Sequence, residues 1–295
     1  MPLLDGTDVH LNYVVIGEGV PVTLLHGFTL SGRSWQEVIS KMPVGWRWVV
    51  PDLRGHGATR IPSGAPCTMA ACRGDLEMLW DHLGIERSHL VGYSMGGRLA
   101  LDVAARRPER VLSLLTIGAH AGLEEEAREG RRQGDEALAR RIEKDGLEAF
   151  VNYWSSLPLL NGVERRGPAF TSQLRAERMS NHVAGLAKSL RGMGAGVMEP
   201  VWNQLTHLTC PCTFVAGQLD HGYVASARRL ASTVVNGRVE IVLRAGHAAH
   251  LERPEAFVRV LAAHLGAPAT DVVGSRDSVA GTPEDEESPS SSTSD

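Results

Sequence analysis

The feature that most constrains this chain is a short run in its first half, His89-Leu90-Val91-Gly92-Tyr93-Ser94-Met95-Gly96-Gly97-Arg98, where an apolar strand passes into a helix through a serine flanked by glycines. So sharp a strand-to-helix turn forces its central residue into a strained conformation. Only glycine at positions 92 and 96 leaves room for the two arms to approach. The turn exposes the serine hydroxyl over a helix N-terminus, whose free N–H groups and dipole favour an anion. A bare Gly-x-Ser-x-Gly match is common by chance; its place between the strand HLVG and the helix MGGRLALDVAA is what makes Ser94 a candidate reactive group.

The surrounding pattern fits such a turn. Apolar runs at His10–Ile16, Pro21–Leu25, Trp46–Val50, His89–Gly92 and Val111–Ile117 alternate with helical patterns at Cys72–Leu83 and Met95–Ala105. Near-continuous apolar strands separated by helices predict an α/β fold with a mostly parallel central sheet covered on both faces. The rhythm stops from Gly122 to about Trp202, where charged amphipathic helices follow one another without a strand. It resumes with a strand at Cys212–Ala216, a helix around Ser226–Val234, a strand at Val239–Leu243 and a last helix at Pro254–Leu265. The reading is a core of residues 1–121 and 203–265, a helical lid inserted at 122–202, and a tail at 266–295.

The tail also explains the charge. The chain of 295 residues has a formal net charge of −4, yet residues 266–295 hold seven acids and one base, leaving the remainder at +2. Its last stretch, PEDEESPSSSTSD, has too little apolar content to offset the entropy of ordering, and is expected to be disordered. A nearly neutral body gives no electrostatic ground for nucleic acid or a membrane as partner. No apolar run approaches the roughly 20 residues that span a bilayer. No secretory signal is visible in MPLLDGTDVHLNYV, and Cys67, Cys72, Cys210 and Cys212 lack paired zinc spacing, so reduced thiols and a cytoplasmic location are expected. No phosphate loop, dinucleotide fingerprint or HExxH motif is present, so neither cofactor nor metal is expected. Of the 30 basic residues only Lys41, Lys144 and Lys188 are lysine, which leaves 27 arginines as bidentate carboxylate binders.

A serine on this type of turn has its partners downstream, an acid and then a histidine, each just past a strand's carboxyl end. Asp220 in Gln218-Leu219-Asp220-His221-Gly222-Tyr223 and His247 in Arg244-Ala245-Gly246-His247-Ala248-Ala249-His250 meet that description. His247 would activate Ser94 and Asp220 would orient its imidazole. His250, three residues on, is the rival for His247. The His26-Gly27-Phe28-Thr29 loop would present the Phe28 N–H to an oxyanion, with the Met95 N–H as second donor. His56 reads as a structural loop residue, and His10, His82, His89, His207, His221 and His264 as surface or core polar groups.

From residue 8 to 265 these elements resemble the α/β-hydrolase superfamily. Within it, GYSMGGR, Arg128–Asp135, Trp154 before Leu157-Pro158-Leu159, Arg178-Met179-Ser180-Asn181, Gly185-Leu186-Ala187 and Ser189–Gly194 resemble the 2-succinyl-6-hydroxy-2,4-cyclohexadiene-1-carboxylate synthases of menaquinone biosynthesis. Inserted segments vary most within this superfamily, so likeness there is more specific than the Ser-Asp-His order. The stretch GQLDHGY departs from that family's usual surroundings of the acid. The resemblance implies elimination of pyruvate from a substrate with three carboxylates, held by Arg98, Arg131 and Arg178 with Tyr93 and Trp154 shaping the walls. Arg128 and Arg132 compete with Arg131 for such a role. Two other readings stay open: a serine hydrolase of esters or carbon–carbon bonds, and a small-ligand receptor on the same fold. The sequence leaves the oligomeric state undecided.

Overall fold

A computed structural model of the protein describes residues 3–266. The expected tail, apart from Gly266, lies outside the described residues. The chain runs β1 (Leu3–Asp5), β2 (His10–Ile16), β3 (Val20–Leu25), α1 (Gln36–Lys41), β4 (Trp46–Pro51), α2 (Met69–His82), β5 (Ser88–Tyr93), α3 (Met95–Arg106) and β6 (Val111–Ile117). There follow α4 (Glu125–Ser155), α5 (Pro168–Met179), α6 (Val183–Met193), α7 (Trp202–Leu205), β7 (Cys212–Gly217), α8 (His221–Thr233), β8 (Gly237–Val242), α9 (Ala249–Glu252) and α10 (Pro254–Leu265).

The strands form an eight-stranded sheet in the order β1-β2-β4-β3-β5-β6-β7-β8. From β4 to β8 every pairing is parallel, while β1 and β2 run antiparallel at one edge. The cause lies in the connections. Only Gly17-Glu18-Gly19 joins β2 to β3, both glycines at positive φ, whereas a parallel crossover needs about a dozen residues. β5 and β7 are nearly all buried, as the continuous apolar runs require. One face packs α2 and α3 around Leu76, Leu79, Trp80 and Leu99. The other packs α1 and α10 around Trp35, Phe257 and Leu261.

Between β6 and β7 lie the inserted helices α4, α5 and α6; α4 and α6 make a small apolar cluster of their own, Ile142, Phe150, Leu186 and Leu190, which reaches Phe28 of the core. Gly146, at φ 81°, breaks α4 into two helical parts. Its second part carries Tyr153 and Trp154, which line the cavity above Ser94. The glycines of the Ser189–Gly194 motif mark close approaches, Gly192 between segment and core and Gly194 within the segment. A side chain at Gly192 would strike the Cys67 carbonyl, and one at Gly194 would strike Asp135. No helix among the described residues is long and apolar enough to cross a membrane.

Candidate active site

Three loops at the carboxyl ends of β5, β7 and β8 converge. The β5–α3 turn holds Ser94 at φ 51°, ψ −108°, a backbone region that a non-glycine residue occupies only where its surroundings impose it. Here they do: a Cβ at Gly92 would collide with the Gly96 carbonyl, and one at Gly96 with the Leu25 and His26 carbonyls. The Ser94 N–H donates to the Ile117 carbonyl at 2.8 Å, fixing the turn to β6.

Ser94 Oγ lies 3.0 Å from His247 Nε2, and His247 Nδ1 lies 2.7 Å from Asp220 Oδ2. His247 and Asp220 are both buried, while Ser94 stays partly open to the cavity. Asp220 is the N-cap residue of α8. Gln218, the departure noted in the sequence, accepts the Arg244 N–H at 3.1 Å, and the Leu219 N–H donates to the Ala245 carbonyl. The acid's loop and the histidine's loop are thereby stitched together.

His250 is placed elsewhere. It is enclosed by the rings of Trp35, Tyr93 and Phe257, and burial among them pushes its pKa down to about 3. His26 accepts the Leu53 N–H at 2.9 Å through Nε2, and its ring packs edge-on against His56. Both therefore shape the loop that carries Phe28. Among the described residues the backbone N–H groups of Phe28 and Met95 are not taken up by protein hydrogen bonds, so both remain available to an oxyanion.

A cavity of about 550 Å³ lies over Ser94. Phe28, Tyr93, Met95, Arg98, Arg131, Trp154, Arg178 and His247 all line it; Asp220 sits behind His247. Trp154 meets Phe28 edge-on at 5.2 Å and stacks on Phe150. Tyr93 packs against the His247 ring at 5.4 Å.

The arginines differ in their surroundings. Arg98 is 9% exposed and donates to the Met193 carbonyl at 2.7 Å; burial pulls its pKa down to about 10. Arg178 is 5% exposed, donates to Ser155 Oγ at 2.6 Å and has an unpartnered Nε; burial lowers its pKa as well. Neither forms an ion pair with a carboxylate among the described residues. Arg131, in contrast, is half-exposed and pairs with Asp135 at 2.9 Å. Its competitors Arg128 and Arg132 pair with Glu125 and Glu129 on the same helix and do not line the cavity.

Two further cavity residues had no role assigned from the sequence. His120, after β6, accepts the Gly122 N–H and is pushed down to about 3 by burial and by the positive fields of Arg98 and Arg131. Tyr223, two residues beyond His221, lays its ring 4.5 Å from that of His247. His120 stands in no motif, and Tyr223 closes the GQLDHGY stretch around Asp220; the fold brings both to the site. The Arg178–Asn181 motif is also clarified. Arg178 faces the cavity while Asn181 donates to the Thr29 carbonyl and accepts the Gly57 N–H, and Glu177 accepts both the N–H and Oγ of Ser31. One turn of the inserted segment thus fixes the loop bearing Phe28. No group of three or more His, Cys, Asp or Glu among the described residues is arranged to hold a metal ion.

Residues 20–254 match the family described as the alpha/beta hydrolase fold. A 2-succinyl-6-hydroxy-2,4-cyclohexadiene-1-carboxylate synthase of Pectobacterium atrosepticum is 30% identical over 252 residues, covering 84% of this chain and 94% of that protein. A Bacillus subtilis protein provisionally given the same synthase name is 36% identical over 262 residues, 86% of this chain and 95% of its own length. The structure of MenH from S. aureus superposes with a TM-score of 0.81 at 27% identity, covering 88% of this chain and 98% of that one. A thermophilic esterase from Thermogutta terrifontis, with malate bound, gives 0.76 at 28% identity, over 88% of this chain and 93% of that one. Matched from residue 20 to 254, the chain belongs to the α/β-hydrolase fold family and, within it, is similar to the synthases that those relatives are named for.

Proposed function

We infer that the chain is a carbon–oxygen lyase of menaquinone biosynthesis, converting 2-succinyl-5-enolpyruvyl-6-hydroxy-3-cyclohexene-1-carboxylate into pyruvate and 2-succinyl-6-hydroxy-2,4-cyclohexadiene-1-carboxylate. The observation that carries this reading is the pair of buried guanidinium groups, Arg98 and Arg178, facing the cavity over Ser94 with no direct ion pair to a carboxylate among the described residues; Asp135 and Glu177 act on them only through their fields. An unbalanced buried charge costs several kcal/mol. A polycarboxylate substrate compensates it, each bidentate pair contributing about 1.5–3 kcal/mol.

The names of substrate and product define the bond changes. The C2–H bond breaks and its electron pair becomes the C2=C3 double bond. The C3=C4 pair moves to C4=C5, and the C5–O bond breaks to release enolpyruvate. His247 Nε2 takes the Ser94 proton, and Ser94 Oγ takes the C2 proton in its place. The proton on His247 is given up as enolpyruvate becomes pyruvate, which restores the starting state without consuming water. C2 adjoins the succinyl ketone, so negative charge reaches that oxygen as the C–H bond breaks. The N–H groups of Phe28 and Met95 are the donors assigned to it. Asp220 holds the imidazole tautomer and stabilises the imidazolium. Tyr93 and Trp154 wall the ring, and Arg131 contributes at the cavity mouth, its charge already shared with Asp135.

We assign residues 122–202 as the lid over the core of 1–121 and 203–265. A cytoplasmic setting accords with four free thiols at Cys67, Cys72, Cys210 and Cys212. A coupled assay for pyruvate tests the function: pyruvate should appear with the conjugated diene in equal amounts. Rapid hydrolysis of p-nitrophenyl acetate with no pyruvate from the enolpyruvyl substrate would assign a serine hydrolase instead.

A further inference from the structure

We propose that Glu252 is the positioning residue that aims His247, and that it ties this aim to the seating of the inserted segment through Arg165. Glu252 stands at the end of α9, five residues past His247, with its side chain 1% exposed. Its carboxylate accepts the Gly246 N–H through Oε2 at 2.7 Å and the Ala248 N–H through Oε1 at 3.2 Å. These are the N–H groups of the two residues on either side of His247. One carboxylate therefore fixes the backbone on both sides of the imidazole, and with it the direction in which the ring leaves the chain.

The same Oε2 receives Arg165 Nη2 at 2.8 Å. Arg165 belongs to a 3-10 turn, Asn161–Arg166, of the inserted segment. Its neighbour Arg166 donates to the Leu251 carbonyl at 2.6 Å and holds both oxygens of Glu37 at 3.0 Å. Gly162 comes so close to the Glu252 carboxylate that a Cβ there would strike it. Leu160 and Val163, at the two ends of this contact, line the cavity wall. The wall that meets substrate and the loop that carries the proton acceptor are thus joined at one buried carboxylate. A shift of the wall moves the acceptor of two hydrogen bonds that orient His247, and misplacement of a reacting group by about 1 Å costs on the order of 10²-fold in rate.

The inference rests on the assignment of His247 as the group that accepts the Ser94 proton, whatever the substrate. The test is therefore run with two readouts on the full chain: pyruvate release, and the rate at which a fluorophosphonate labels Ser94, which needs His247 but not the lyase substrate. In Glu252→Gln one acceptor oxygen becomes an N–H donor facing donors. Both kcat and labelling rate should fall about 10- to 100-fold, KM should change little, and the His247-dependent limb of the pH–rate profile should move. Arg165→Met leaves the two backbone hydrogen bonds in place and should lower both rates by a smaller factor, with a lower melting temperature because the buried Glu252 carboxylate loses its cation. It also serves if Glu252→Gln does not fold. Wild-type kcat, labelling and pH profile in folded Glu252→Gln, or in Arg165→Met if Glu252→Gln does not fold, would overturn the proposal. A wild-type protein that labels but releases no pyruvate would instead overturn the lyase reading and leave the role of Glu252 to the labelling result.

Discussion

At the scale of single residues, the site separates groups by how their charge is balanced. Ser94→Ala removes the proton acceptor and should lower kcat/KM by 10³-fold or more, measured by pyruvate release. Among the described residues Arg98 and Arg178 form no direct ion pair and feel Asp135 and Glu177 only through their fields, whereas Arg131 pairs directly with Asp135. Arg98→Ala should therefore cost about 10- to 100-fold in kcat/KM, carried mainly by KM, and Arg131→Ala markedly less. Equal losses for the two, in the same assay, would contradict the balance argument. The sequence made Ser94, Asp220 and His247 legible because each follows an apolar strand within a few residues. His120, Tyr223 and Glu252 were not legible. Each lies in a stretch whose composition is ordinary, and its importance comes from contacts such as Arg165–Glu252, made across 87 positions of sequence.

At the scale of elements, local pattern set β2 to β8 and the last helix well, since buried strands leave a continuous apolar run; the short, exposed β1 (Leu3–Asp5) carries no such run and was missed. It placed the start of α8 late: the polar opening His221-Gly222 does not look helical, and Asp220 at the N-cap position makes no side-chain capping hydrogen bond, its carboxylate being taken by His247. The break of α4 at Gly146 was also invisible, because a glycine within a charged helix is equally compatible with an unbroken one. The glycines of the Ser189–Gly194 motif, in contrast, have a definite physical meaning as contact points. Gly192→Ala pushes a methyl group into the Cys67 carbonyl and should destabilise the fold by about 1–3 kcal/mol. Thermal denaturation should show the lower melting temperature. KM should rise as well, since α6 carries Leu190 and Met193 into the cavity.

At the scale of the whole molecule, the buried histidines set the response to acid. His56, His120, His250 and His264 are each held at about 3 by burial, against 6.5 for an ordinary imidazole. Below pH 6.5 the unfolded chain takes up protons that the native state refuses. The stability these groups contribute is complete above that pH and is lost as pH falls towards 3, by up to about 1.4 kcal/mol per pH unit for each. The melting temperature should fall steeply between pH 7 and 5. His250→Phe, which keeps an aromatic ring among Trp35, Tyr93 and Phe257, should flatten that fall; an unchanged slope would remove His250 from the account.

The same molecule could run acyl transfer or proton abstraction with one Ser-His-Asp set, and the assignment depends on which of them occurs. Labelling C2 of the enolpyruvyl substrate with deuterium separates the two. If Ser94 and His247 remove that proton, kcat/KM for pyruvate release should show a primary isotope effect well above unity. An isotope effect of unity together with an acylated Ser94 in the intact-protein mass would contradict the lyase mechanism.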